Sequence, residues 1–128
     1  MSVYTLCKDE RLCGDRVISN LFDHGCSFFL SPYKVFWIKI PETYTFPVRF
    51  AVSVSKRRFK RAVKRNLIKR RTREAFRINK QILSTVVTAG QVHLMVIYVS
   101  DRLLPYANLE ATMKKILQQI ISDSGFRV

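Results

Sequence analysis

Residues 49–83 read RFAVSVSKRRFKRAVKRNLIKRRTREAFRINKQIL, and within this stretch the spacing of apolar residues changes period. From Arg49 to Ser55, Phe50, Val52 and Val54 alternate with Ala51 and Ser53, the two-residue repeat of a strand. From Lys56 cations take over, and a helical pattern runs to about Leu83. At about 100° per residue, Ile68, Thr72, Ala75, Phe76, Asn79, Ile82 and Leu83 share one stripe that would face a sheet. Asn66, Lys69, Arg70, Arg73, Arg77 and Lys80 form a second stripe, about a third of a turn away. The second stripe has no acid, whereas a face serving only solubility would mix both signs. Glu74 lies at its margin, within helical reach of Arg70 and Arg77. The first turns, around Lys60 to Arg65, lack a continuous apolar stripe and are expected at an edge of the fold.

Upstream, RVISNLFDH is a short helix with Ile18, Leu21 and Phe22 at helical spacing, Asp15 as N-cap and Gly25 just past its end. SFFLSPYKVFWIKI, aromatic and β-branched, is two strands or one strand bent at Ser31-Pro32. PETYTFP is a proline-bounded loop. Downstream, Gly90 closes a turn and QVHLMVIYV is a continuous apolar run typical of a buried strand. DRLLPYAN is a loop, and Asn108 caps a last helix with apolar residues Leu109, Met113, Ile116, Leu117 and Ile120. The order α-β-β-β-α-β-α on a single central sheet implies an α/β fold of the α+β sandwich kind, as one domain over residues 1–128.

Twelve Lys or Arg residues lie between Lys56 and Arg77 against one acid, so this segment carries +11 of a formal net charge of +14. That excess predicts attraction to polyanions, nucleic acid before anionic membrane. With 48% hydrophobic residues the chain can bury a core, which separates it from a disordered basic tail. No stretch approaches the about 18 apolar residues of a membrane span, and MSVYTLCKDER does not read as a signal peptide. Cys7, Cys13 and Cys26 suggest neither a disulfide framework nor a zinc site, and a reducing cytoplasm fits them.

A protein nuclease needs clustered carboxylates or a His-centred acid–base pair. His24 and His93 read as structural, Asp9, Glu10 and Asp15 as flexible start or cap, and Asp101 as a turn residue. No catalytic or metal-binding residue is therefore expected on the protein. Phe22 reads by pattern alone as core packing, and YKVFWIKI alternates so that either face of Phe36's strand could be buried.

The run AVKRNLIKRRTREAFR resembles the signature of the bacterial ribonuclease P protein subunit, Arg-Asn-x-x-Lys-Arg followed by Arg-Glu-x-Phe, at Arg65, Asn66, Lys69, Arg70, Arg73, Glu74 and Phe76. VSVSKRRFKRA and the opening RL…LFDHG are also similar, so the resemblance covers about Arg11 to Leu117. It implies a left-handed β-α-β crossover, similar to the second domain of ribosomal protein S5. It further implies a protein cofactor, monomeric and 1:1 with a catalytic RNA, that assists endonucleolytic removal of the 5′ leader of precursor tRNA. Catalysis would sit on the RNA with its Mg²⁺. By position, Arg65, Asn66, Lys69, Arg70 and Arg73, joined by Arg77 on the same stripe, would contact that RNA. Lys56, Arg57 and Arg61 would line the leader path, with Phe22 and Phe36 as aromatic cleft residues. A further cleft position, usually phenylalanine, aligns with Ile18 when one residue is gapped, which would replace stacking by apolar contact. Charge and pattern by themselves leave open a ribosomal or RNA-chaperone protein, an independent nuclease and a DNA-binding helix.

Overall fold

In a computed structural model of the chain, which describes residues 11–12, 14–41, 47–87 and 90–124, four strands build one sheet. In chain order they are β1 (Cys26–Leu30), β2 (Tyr33–Ile40), β3 (Val48–Val54) and β4 (Gln91–Tyr98), arranged β1-β2-β4-β3 across the sheet. The helices are α1 (Asp15–His24), α2 (Ala62–Asn79), the single turn α3 (Gln81–Ser84) and α4 (Tyr106–Ser124). β1 and β2 form an antiparallel hairpin, β2 runs antiparallel to β4, and β3 lies parallel to β4. The connection from β3 through α2 and α3 to β4 therefore joins two adjacent parallel strands. β4 lies inside the sheet, paired on both edges, and six of its eight residues, Gln91, Val92, His93, Leu94, Val96 and Tyr98, are buried.

Strand alternation gives the sheet two unlike faces. Tyr33, Val35, Trp37, Val48, Phe50, Val54, Val92, Leu94, Val96 and Tyr98 point to one side, where Ile68, Ala75 and Phe76 of α2 and the predicted stripe of α4 complete a single core. Phe50 stacks on Phe76 with ring centroids 4.2 Å apart, and Tyr33 meets Tyr98 edge-on at 5.7 Å. Tyr33 and Thr72 share a buried hydrogen bond of 2.7 Å that fastens the middle of α2 to β2. Burial pushes the Tyr33 phenol pKa upward, so it stays a neutral hydrogen-bonding group. Asn79, the other buried polar residue of α2, donates from Nδ2 to the Ala75 carbonyl at 2.8 Å.

Several predicted boundaries move. The stretch at 27–40 resolves into two strands, because Ser31 and Pro32 form the hairpin turn. The N-cap of α1 is Gly14, at φ 101, and Asp15 is the first helical residue with no side-chain capping bond. Glycine suits that positive φ, and an acid in the first turn still complements the helix dipole. Gly25 ends α1 as expected, but in extended conformation. What requires glycine there is space: a Cβ would press on the carbonyl oxygens of Leu21 and Trp37. α4 starts at Tyr106, two residues before the expected cap Asn108, because the Pro105 carbonyl accepts from the backbone N–H groups of Asn108 and Leu109. The helical reading of Lys56 to Arg61 also fails. Phe59, 7% exposed, turns into the core near Tyr98, and α2 begins only at Ala62. Most of PETYTFP, with Cys7, Cys13, Asp9 and Glu10, lies outside the described residues.

Candidate nucleic-acid interface

α2 separates its two stripes as the wheel requires. Ile68, Thr72, Ala75, Phe76 and Asn79 are buried, while Asn66, Arg70 and Arg73 are exposed and Lys69 half-buried. Among the described residues, neither Arg70 nor Arg73 makes an ion pair. Their neighbour Arg71 points elsewhere, donating from Nη1 to the Leu104 carbonyl at 3.2 Å and so tying α2 to the segment before α4.

Two predicted contact residues have partners inside the protein. Arg65 donates from Nη1 to the carbonyls of Phe59 and Lys60, both at 2.8 Å, which braces the loop in front of its own helix. Arg77 grips Glu74 through Nε (2.9 Å to Oε2) and through Nη2. That hydrogen bond holds the Glu74 carboxyl pKa below the usual carboxylate value and raises that of the Arg77 guanidinium. The only acid in the basic segment is thus spent on one arginine, and the row Asn66, Lys69, Arg70, Arg73 carries no negative charge of its own.

Between β3 and α2, residues 55–61 form a loop fixed from several sides. Phe59 anchors it, the backbone N–H of Arg57 donates to Ser55 Oγ at 3.1 Å, and Arg58 pairs with Asp101 at 2.7 Å. Lys56, Arg57 and Arg61 are left exposed. Asp101, read as a turn residue, is the acid that orients this loop.

Among the described elements, α1 is the helix that packs on the second face of the sheet. Ser27 and Phe29 of β1, Lys34, Phe36 and Ile38 of β2, Arg49, Ala51 and Ser53 of β3, and His93, Met95 and Ile97 of β4 share it by register. Phe22 of α1 reaches down to Phe36, edge-on with centroids 4.8 Å apart. Ile18, one turn earlier, is half-buried. Phe22 stays 42% exposed, so the core-packing expectation for it fails: the ring lies on the side of the sheet away from the main core. Lys34, which sequence reasoning passed over, places Nζ 5.4 Å from the centre of the Phe36 ring. Its signal was the two-residue spacing to Phe36, which puts both on one face. None of the four described strands contains an acid. The basic loop leaves the sheet at the end of β3, in the row where Val54 pairs with Tyr98 and Tyr98 with Tyr33, one row from Lys34. A strand surface with exposed aromatic rings and cations, and no acid on its four described strands, can stack bases and attract phosphates.

A family model described as Ribonuclease P matches residues 6–121. A ribonuclease P protein component of Porphyromonas gingivalis is 36% identical over 124 residues, covering 95% of this chain and 90% of the relative. The protein of a second strain of that species is 37% identical over 122 residues, covering 94% of this chain and 89% of the relative. Among solved structures, the ribonuclease P protein of Thermotoga maritima superposes with a TM-score of 0.70 at 22% identity, over 87% of this chain and 97% of that one. That of Staphylococcus aureus gives 0.66 at 21%, over 86% and 94%. The structural matches carry the fold, and the family model and the curated relatives carry the kinship: this chain belongs to the ribonuclease P protein family.

Proposed function

We propose that this chain is the protein subunit of a ribonuclease P ribonucleoprotein, assisting a catalytic RNA in removing the 5′ leader from precursor tRNA. The observation that carries the reading is the pairing of two surfaces on one small fold. One is the acid-free row Asn66, Lys69, Arg70 and Arg73 on a helix whose opposite side is locked into the core. The other is the sheet face with Phe22 over Phe36, beside the loop bearing Lys56, Arg57 and Arg61.

The row on α2 docks on the phosphates of the catalytic RNA. Arginine's planar fork suits that task, and a rigid helix keeps the spacing fixed. Arg65 contributes by bracing the 55–61 loop, and Arg77 presents only what its bond to Glu74 leaves over. The single-stranded leader lies along the sheet face, with bases on Phe22 and Phe36, apolar contact to Ile18, and phosphates toward Lys56, Arg57 and Arg61. Stacking tolerates any base, as leaders of varied sequence demand. Among the described residues no three His, Cys, Asp or Glu side chains gather in a metal-binding group. In this reading Mg²⁺ and the hydrolytic step belong to the RNA. The complex is one protein per RNA, acting in the cytoplasm; no helix among the described residues is long and apolar enough to cross a membrane.

The test is cleavage of a precursor tRNA by the matched catalytic RNA at limiting Mg²⁺, with and without the protein. Addition should raise the rate and lower the Mg²⁺ required. An unchanged rate would contradict the proposal, and cleavage by RNA-free protein would replace it with an independent nuclease.

A further inference from the structure

Phe29 is 61% exposed, the most exposed phenylalanine among the described residues, and it lies on the edge strand β1. A large apolar ring on an unpaired sheet edge invites unwanted pairing with other chains, so its position asks for a reason. Three observations bear on it. Phe29 is paired with Lys34 in register, which puts its ring on the same face as Phe36 and Phe22. Phe36 is its diagonal neighbour across the hairpin, at a Cα separation of about 7–8 Å, near enough for aromatic side chains to act on one ligand. Between them stands Lys34, whose ammonium lies over the Phe36 ring, and no acid occurs in the four described strands.

We infer that Phe29 is a further stacking residue for single-stranded RNA, taking a base beyond those at Phe22 and Phe36. The inference rests on the leader-binding reading above and extends it outward to the β1 edge. The row Phe29, Lys34, Ile97, Ser53 crosses the whole sheet in register, from that edge to the strand that feeds the basic loop. Three strand spacings of about 4.8 Å make a track of roughly 14 Å, long enough for several nucleotides. Charge selects the occupant: described strands that carry cations and no acid suit a chain with phosphate between its bases, and an exposed ring suits a base in any sequence.

The experiment uses the assembled ribonucleoprotein and precursor tRNAs whose leaders lengthen one nucleotide at a time. In the parent complex affinity should rise in steps as successive bases find their rings. Phe29→Ala should remove one step, weakening binding of the longer leaders by about fivefold to tenfold while leaving shorter ones unchanged. Phe29→Trp should restore that step and Phe29→Leu should not. Since the ring is largely in solvent, melting of the free Phe29→Ala protein should match the parent, so a lost step cannot be unfolding. If Phe29→Ala keeps every step while Phe22→Ala loses one, the inference fails and the leader reading stands. If neither variant alters any step, both fail. If Phe29→Ala changes only self-association in sedimentation, the ring belongs to a contact between copies and the inference is overturned.

Discussion

At the scale of single residues, exposure decides between a packing role and a binding role. Phe22 touches Phe36 yet keeps 42% of its surface in solvent, so truncation removes little core. Phe22→Ala should therefore leave thermal stability nearly unchanged but weaken leader-bearing substrate by roughly 1–3 kcal/mol, the worth of one stacked base. Equal losses for precursor and mature tRNA in a binding titration would place the ring outside the leader path. Sequence could not settle this. On the wheel Phe22 lies beside Ile18 and Leu21 as an apolar helix residue, and nothing in its spacing says that α1 packs on the sheet face away from the main core. Arg65 misleads in the opposite way: it carries the signature, yet its Nη1 serves two backbone carbonyls of the preceding loop. Arg73 has no such tie. Arg73→Ala should lower the log–log slope of RNA affinity against salt by about 0.7–0.9 for one lost phosphate contact. A slope that stays unchanged would mean that Arg73 does not touch phosphate.

At the scale of elements, α2 works because its two faces are held to separate tasks. The Tyr33–Thr72 hydrogen bond pins the helix at mid-length, inside the signature itself. Thr72→Val keeps the shape but leaves a buried phenol without its partner, which should destabilise the fold by about 1–3 kcal/mol in urea unfolding. Adding Tyr33→Phe should recover much of the loss, and failure to recover would show that the bond is not its source. The Glu74–Arg77 pair is set by pH in a definite direction. The carboxyl's folded pKa lies below its ordinary 4.5, so the pair is fully formed above that value and is lost as pH falls through the lowered one. At neutral pH, Glu74→Ala should remove a negative charge from beside the basic row, tightening RNA binding at low salt; weaker binding would show that Glu74 is needed to orient Arg77. The core stripe of α2 was legible because a helix on a sheet must repeat its apolar residues every 3.6 positions. Its beginning was not. Phe59 stands among seven cations, and only the tertiary fold draws that ring inward and delays the helix to Ala62. The start of α4 was hidden similarly, since Asn108 looks like a cap while the first helical hydrogen bonds already run back to the Pro105 carbonyl.

At the scale of the molecule, the fold sorts charge from core. Among the described residues, one sheet face carries α2 and α4 and nearly all the apolar burial, and the other carries α1 and aromatic strand residues with no acid on the strands themselves. Of the net charge of +14, +11 lies between Lys56 and Arg77, the loop and helix that join the parallel pair β3 and β4. The element order could be read from periodicity, but strand order could not, because β4 enters between β2 and β3 through contacts far apart in sequence. The central claim, that this surface makes the leader part of the recognised substrate, is tested most directly by four dissociation constants. They are those of precursor and mature tRNA, each with the catalytic RNA alone and with the RNA–protein complex. The account predicts that the protein tightens precursor binding at least tenfold, about 1.4 kcal/mol, while shifting mature tRNA far less. Equal tightening of both, or of neither, would contradict it.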